Sequence, residues 1–231
     1  RGELPLPAPT VAIVGARSAD RWGVKFAHRL ASDLVASGVV VISGGALGID
    51  SAAHLGALDG GGRTLMVLAC GLGTDYPKGT GALRERIAES GAVISAFPDD
   101  AKPLRGHFYK RNRMMAALSQ AVVVVQAGAR SGALVTAELA QRLDRQVLAV
   151  PGVADAALTR GTHGLLRNGA LMAENAKDVL TAIGQESKNS PAVDLTSVSP
   201  RLEGAGAEVF DWLDDGPASV DEVARGLGRP V

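Results

Sequence analysis

The sequence has little cysteine, few aromatic residues and no long apolar run. Cys70 is the only cysteine among 231 residues, which excludes an internal disulfide and a cysteine-rich metal site. No apolar run is long enough to span a membrane, and no signal-peptide pattern opens the chain. We therefore expect a reduced, cytoplasmic protein with no membrane partner. Aromatic residues make up 3% of the chain, so any base stacking must fall on a few identifiable rings.

Charge is balanced over the whole chain but not along it. The formal net charge is zero, which by itself argues against a nucleic-acid partner. Residues 101–137 contain no acid, however, while the C-terminal residues from Glu186 onward hold more acids than bases. The acid-free segment carries six cations: Lys102, Arg105, Lys110, Arg111, Arg113 and Arg130. A local positive surface of this kind is what attracts a polyanion.

Two common nucleotide-binding motifs are also missing. The chain has no G-x-x-x-x-G-K-[ST], which excludes a phosphate-loop NTPase. After the apolar strand predicted over residues 11–14, one glycine and Arg17 stand where a dinucleotide-binding fold needs G-x-G-x-x-G, which disfavours nicotinamide or flavin. Arg17 instead places a cation at the carboxyl end of that strand, where ligands of open parallel sheets bind. The alternative is that Arg17 only forms a surface salt bridge. The four histidines show no metal spacing, and we expect neither metal nor cofactor.

Residues 39–54 predict a buried strand, a tight glycine turn and a helix that begins at Ile49. Backbone N–H groups of Ser43, Gly44 and Gly45 lie at the start of this helix, where the helix dipole favours an anion. We expect the anion to be a phosphate. The alternative is that the glycines only let the helix pack closely on the sheet.

Residues 107–118 combine rings with cations. Met114, Met115 and Leu118 predict a helix, with Lys110, Arg111 and Arg113 in its first turn or just before it. Cations are unfavourable at that end of a helix dipole, and a bound phosphate chain would compensate them. Phe108 and Tyr109 can stack on bases, as in single-strand binders. The alternatives are a solvated charged face and an aromatic side chain that belongs to the core.

The remaining pattern alternates strands and helices, which predicts an α/β domain with a mostly parallel sheet. The predicted strands cover residues 64–68, 93–95, 121–125 and 147–150, and the predicted helices cover 22–37, 78–90, 133–143, part of 160–170 and 175–183. We expect a linker over 1–9, one domain over 10–183, a second linker over 184–200 and a small helical segment over 201–231. That last segment resembles part of a helix-turn-helix or winged helix, but it is acidic and we assign it no DNA readout.

Ordered motifs across residues 11–183 resemble those of the DprA/Smf family, DNA-processing protein A. They are Gly15-x-Arg17, Ser43-Gly44-x-Ala46-x-Gly48-Ile49-Asp50, Tyr76-Pro77, Phe108 with Arg111-Asn112-Arg113, Ser131-Gly132-Ala133-Leu134-x-Thr136-Ala137, Val150-Pro151-Gly152, and Gly161 with Gly169-Ala170. Each motif is weak alone, but the ordered set is highly specific.

The resemblance implies an extended Rossmann-like domain that binds single-stranded DNA, forms a homodimer and hands the strand to a RecA-type recombinase in natural transformation or recombination. It implies a binding activity with no catalysed reaction. It also implies which residues face the DNA, namely Arg17, Ser43, Gly44, Gly45, Lys110, Arg111 and Arg113, with Phe108 or Tyr109 at a base.

A different class of function stays open. The turn and helix over residues 128–138 resemble the phosphoribosyl-binding turn of nucleoside-monophosphate phosphoribohydrolases, with Glu138 as the candidate acid or base. No second polar group is visibly paired with Glu138, and this hypothesis leaves the cations of residues 107–113 unexplained.

Four apolar residues near the end of the domain are either core residues or a dimer face: Leu165, Leu166, Leu171 and Met172.

Overall fold

Strands and helices alternate along the chain in the computed structural model, which describes residues 1–4 and 8–185. In order, they are β1 Thr10–Val14, α1 Arg21–Ala36, β2 Val40–Ser43, α2 Ile49–Asp59, β3 Thr64–Leu68, α3 Gly81–Ser90, β4 Ala92–Ser95, α4 Arg105–Leu118, β5 Ala121–Val124, α5 Gly132–Gln141, β6 Gln146–Ala149, α6 Arg160–Arg167, β7 Leu171–Met172 and α7 Ala176–Ala182. No helix among these residues is both long and apolar enough to cross a bilayer.

The seven strands form one sheet in the order β4-β3-β2-β1-β5-β6-β7, and every strand pair in it is parallel. This confirms the predicted α/β fold and its extended Rossmann-like arrangement. The strand order reverses between β1 and β5, and ligands of open parallel sheets bind beyond the carboxyl ends of strands at such a point. β7 has only two residues and is not among the predicted strands.

The predicted boundaries fall partly outside the described residues. The helical segment over 201–231 lies outside them, as does the linker over 184–200 except for its first two residues. Within the predicted linker over 1–9, the first three residues lie along the start of β4, where the Glu3 N–H donates to Gly91 O and the Val93 N–H donates to Arg1 O.

Helices cover both faces of the sheet because its strands are apolar on both sides. One face packs against α1, α2, α3 and α7, and the other against α4, α5 and α6. Helix α1 begins at an Asp20 cap, whose carboxylate accepts from the Gly23 N–H at 2.8 Å. Gly56 lets α1 and α2 approach closely, since a Cβ at that position would overlap His28 O.

A buried histidine ties α2 to the sheet. The Thr64 hydroxyl donates to Val41 O at 2.8 Å, so it must accept from His54 Nδ1, which lies 2.7 Å away. Burial lowers the pKa of His54 to about 3, and the positive charge of Arg111 acts in the same direction. His54 is therefore neutral in the folded protein at every pH near neutrality.

We predict that the free energy of unfolding decreases as the pH is lowered, because of His54. Its pKa is about 3 when folded and near 6.5 when unfolded, so below 6.5 the unfolded chain takes up a proton that the folded protein refuses. From about pH 7.5 to about pH 5.5 this costs the folded protein about 1.4 kcal/mol, or about 3–6 °C in melting temperature.

Melting curves at the two pH values measure this loss of stability. The variant His54→Asn keeps a hydrogen-bond donor for Thr64, and it should remove the part of the loss that His54 causes. The matched variant His163→Asn should keep the wild-type difference. An unchanged pH dependence in His54→Asn would contradict the assignment.

Candidate functional site

Two adjoining cavities lie at the carboxyl ends of β1, β2 and β5, where the strand order reverses. The larger has a volume of about 210 Å³ and the smaller about 140 Å³. Four residues line both cavities: Arg17, Ala46, Phe108 and Arg111. The loops after β1 and β2 and the inward side of α4 therefore meet at the place where this class of sheet binds ligands.

A buried ion pair holds these parts together. Arg111 Nη1 lies 3.9 Å from Asp50 Oδ2, and both side chains are 7% exposed. The same Nη1 donates to Gly44 O and, at 3.3 Å, to Val67 O. Arg111 thus joins α4 to the loop after β2 and to the end of β3.

Burial moves both members of this pair toward their neutral forms, and each opposes that shift in the other. Burial raises the pKa of Asp50, while Arg111 and the Ala46 and Gly44 amides favour its carboxylate. Burial likewise lowers the pKa of the Arg111 guanidinium, and Asp50 acts against that shift. The pair is stable only as a unit, because either charge alone would be buried without a partner.

The loop after β2 uses its polar groups internally. The Ser43 hydroxyl donates to Ile13 O at 2.7 Å, and the Gly44 N–H donates to Asp50 Oδ2 at 3.2 Å. Ser43, Gly44 and Gly45 are all buried. This differs from the open row of amides that the sequence predicts, because the Asp50 carboxylate takes the place that was expected for an anion.

Glycine is required at position 44 for a steric reason. A Cβ there would overlap the Arg111 guanidinium, so the close approach of α4 to this loop needs a residue without a side chain. The exposed part of the turn is instead Leu47, with Ala46 and Gly48 half-buried beside it. The close packing at Gly44 therefore involves Arg111 of α4, whereas the alternative weighed for the glycines concerned the helix that begins at Ile49.

Helix α4 begins at Arg105, so the prediction that Lys110, Arg111 and Arg113 lie at a helix start is wrong. They lie in its middle turns, and the conflict with the helix dipole does not arise. Four residues of α4 line the larger cavity, and they have the i, i+3, i+4, i+7 spacing of one helical stripe: Phe108, Arg111, Asn112 and Met115. Two of them are polar, which hides the stripe in the sequence.

The opposite side of α4 faces outward. Tyr109, Lys110 and Arg113 are exposed there and form what we call the outer row. Within the part of the chain that the structure describes, neither cation of the outer row forms a salt bridge. Their charges are therefore free to interact with an anion outside the protein.

Phe108 lies between two guanidinium groups. The Cζ atoms of Arg17 and Arg111 lie 5.3 Å and 5.9 Å from its ring centroid, and the Tyr76 ring meets it edge-on at 5.9 Å. These contacts hold Arg17 beside the cavities through a cation–π interaction. Phe108 is thus already packed, whereas Tyr109 is 49% exposed.

Other residues of the larger cavity come from α4 and from the loop before α5. Asn112 Nδ2 donates to Gly132 O at 3.4 Å, and the Ser131 hydroxyl caps α5 by accepting from the Ala133 N–H. Thr136 lines the same cavity. Asn112, Ser131 and Thr136 are not among the predicted site residues. All three belong to the ordered family motifs, which are the signal that could have identified them.

Glu138 does not line either cavity. Its exposed carboxylate pairs with Arg142 one helical turn later, on the side of α5 that faces solvent. The nucleotide-processing alternative therefore lacks its candidate acid at the site. Over residues 1–4 and 8–185, the structure contains no group of three or more His, Cys, Asp or Glu side chains suited to a metal ion.

Residues 1–184 match the family model of DNA recombination-mediator protein A. The chain is 39% identical over 175 residues to DNA processing protein DprA of Streptococcus pneumoniae, covering 76% of this chain and 62% of that protein. It is 34% identical over 226 residues to protein Smf of Escherichia coli, covering 96% of this chain and 60% of that protein. The chain thus spans less than two thirds of the length of these relatives.

Solved structures agree with the sequence matches. The X-ray structure of DNA processing protein A from Streptococcus pneumoniae has a TM-score of 0.74 at 38% identity, covering 77% of this chain and 62% of that one. The Helicobacter pylori protein, studied for its single-stranded DNA binding mode, has a TM-score of 0.73 at 32% identity, covering 80% and 85%. The molybdenum cofactor carrier protein of Chlamydomonas reinhardtii, at 18% identity and a TM-score of 0.54, shares the fold alone.

We predict that Asp50→Ala destabilises the protein by about 3–5 kcal/mol, because it leaves the Arg111 charge buried and unpaired. Urea denaturation measures the loss. The double variant Asp50→Ala, Arg111→Met should recover part of it, since it removes both charges. Asp59→Ala is the matched control: Asp59 pairs with His28 and Arg86 at the surface, and its loss should leave the midpoint nearly unchanged. An Asp50→Ala variant as stable as Asp59→Ala would contradict the prediction.

Proposed function

The chain belongs to the DNA recombination-mediator protein A family, and on this premise we propose that it binds single-stranded DNA and helps to load a RecA-type recombinase on that strand in natural transformation or recombination. The observation that carries this proposal is the outer row of α4, whose tyrosine is exposed and whose two cations form no salt bridge among the described residues, together with the exposed Arg17 at the strand-reversal point. The relative from Helicobacter pylori was studied for single-stranded DNA binding, which supports this reading. The proposed activity is binding with no catalysed reaction, in the cytoplasm.

On this proposal, the geometry separates residues that contact DNA from residues that hold them in position. Arg17, Lys110 and Arg113 are exposed and neutralise phosphates, while the Tyr109 ring offers its exposed face to a base. Phe108 holds Arg17 in place. The buried residues Ser43, Gly44, Gly45 and Arg111 support this surface from within, and we assign them positioning roles rather than direct contact.

We predict that binding weakens with salt in proportion to the phosphates that are neutralised. Single strands lose about 0.7 in log–log slope for each phosphate, so three contacts give a slope of about −2. Arg17→Ala and Lys110→Ala should each weaken binding about ten-fold at low salt and make the slope shallower by about 0.7. Fluorescence anisotropy of a labelled oligothymidine over a salt series measures both quantities.

Arg63→Ala provides the matched control for this experiment. Arg63 is exposed and precedes β3, at the opposite edge of the sheet from the cavities, so its loss should change neither affinity nor slope. A wild-type slope near zero, or equal effects of all three substitutions, would overturn the proposed function.

We further propose that the protein forms a homodimer through β7. Among the described residues β7 is an edge strand that pairs only with β6, and its Leu171 and Met172 side chains are 46% and 51% exposed. An edge with exposed apolar side chains is a ready site for pairing. Two linked DNA sites would raise the effective affinity for one long strand and so support recombinase loading.

Leu171→Lys combined with Met172→Lys tests this assembly. We expect light scattering to show a dimer for the wild type and a monomer for the variant. Wild-type protein should stimulate the DNA-dependent ATPase of a RecA-type recombinase on strands coated with single-strand-binding protein, and the monomer should stimulate it less. A variant that stays dimeric would exclude β7 as the interface, and a wild type without stimulation would exclude recombinase loading.

A further inference from the structure

Trp22 is an exposed aromatic ring that the site described above does not use. It lies in the first turn of α1, is 49% exposed, and packs on Phe26 with ring centroids 5.2 Å apart and an interplanar angle of 28°. Arg29 in turn covers the Phe26 ring at 5.5 Å. The Phe26 ring therefore supports the Trp22 ring, which stays about half exposed.

Trp22 also lines a third cavity, of about 430 Å³, at the same edge of the sheet. The loops after β1, β5 and β6 form it, and most of its remaining lining is apolar, including Val153, Ala156 and Leu158. Val153 is 68% exposed. A large tryptophan beside exposed apolar residues is typical of a surface that binds something flat and apolar.

Several polar groups of this cavity form hydrogen bonds within the protein. Gln126 Oε1 accepts from the Asp20 N–H at 3.2 Å, and the Thr159 hydroxyl donates to Val153 O at 2.6 Å. The Asp20 carboxylate accepts from the Gly23 N–H, a bond that holds the pKa of Asp20 below its ordinary value. The walls therefore offer mainly apolar stacking surface, and the ionised Asp20 keeps phosphate out of the cavity.

Two cations are neighbours in the chain of residues that line the cavity. Arg21 adjoins Trp22 in the chain and Arg160 follows Thr159, and both side chains are exposed. Asp155 is the single acid of the loop over residues 152–160. Trp22 is five residues from Arg17, a span of at most about 17 Å of extended chain. A strand bound at Arg17 can therefore continue to this cavity.

We propose that Trp22 and the loop after β6 form a second nucleobase platform, which takes a base of the same DNA strand by stacking without regard to its identity. This inference rests on the proposed function and extends its DNA path beyond the α4 surface. Phosphates of the flanking nucleotides lie toward Arg21 and Arg160, outside the apolar cavity.

Tryptophan fluorescence tests the platform directly. The chain has two tryptophans, and Trp212→Phe leaves Trp22 as the only reporter. An oligothymidine of about 16 nucleotides, a length within the range of known single-strand sites, should quench Trp22 emission in parallel with the anisotropy of the same labelled strand. An oligonucleotide of the same length with abasic sites throughout should not quench it.

Substitutions separate stacking from packing. Trp22→Leu should weaken binding of the oligothymidine at least about five-fold, as expected for one lost stacked base, while Trp22→Phe should retain most of the affinity. Val24→Ala, which removes a half-exposed apolar side chain elsewhere on α1, is the matched control and should bind as the wild type does.

Saturating anisotropy with unchanged Trp22 emission would overturn the platform and leave the proposed function standing. Equal quenching by the abasic strand would replace base stacking by a phosphate contact. Quenching only on addition of recombinase would make the cavity a protein-docking site and would also overturn the inference. No anisotropy change with any oligonucleotide would overturn the platform and the proposed function together.

Discussion

The ion pair between Arg111 and Asp50 is the constraint on which the rest of the site depends. Burying two charges is costly, and here the cost is offset because each charge also has backbone partners: two amides for Asp50 and two carbonyls for Arg111. Those partners belong to the loop after β2 and to the end of β3. The pair therefore fixes α4 relative to the sheet, and with α4 it fixes the position of Phe108 and the outward direction of Tyr109, Lys110 and Arg113.

The fold could be predicted from the sequence because its signals are local. Runs of valine, isoleucine and alanine indicate strands that are buried on both faces, and most of these runs are followed by a glycine turn and a helix. Helix α4 is the exception, because its buried stripe contains Arg111 and Asn112 and so does not look apolar. β7 escaped prediction for another reason, since a strand of two residues has no period to recognise.

The site could be predicted only in part. Arg17, Phe108 and Arg111 do meet at one edge of the sheet, whereas Tyr109, Lys110 and Arg113 lie on the opposite side of α4. What the sequence does not reveal is which polar groups satisfy one another. Asp50 lies in the first turn of α2, where an acid is favourable to the helix dipole. Its carboxylate also accepts a hydrogen bond from the Gly44 N–H, the amide that the glycine turn was expected to offer to a ligand. Such pairing depends on distances across the fold, which no local pattern encodes.

Satisfied polar groups also bear on the kind of strand this surface suits. Hydrogen bonds to base edges require free donors and acceptors, whereas the Ser43 hydroxyl, the Gly44 N–H and Gln126 Oε1 are engaged within the protein. The exposed groups are charged side chains and aromatic rings, and these contact phosphates and base faces, which all nucleotides share. Rings such as Tyr109 reach a base only when it is unstacked from its neighbours, and in a duplex both faces of each base are covered. On the proposed function, preference for single strands would therefore follow from the rings, and tolerance of any sequence from contacts made mainly by charge and ring surface.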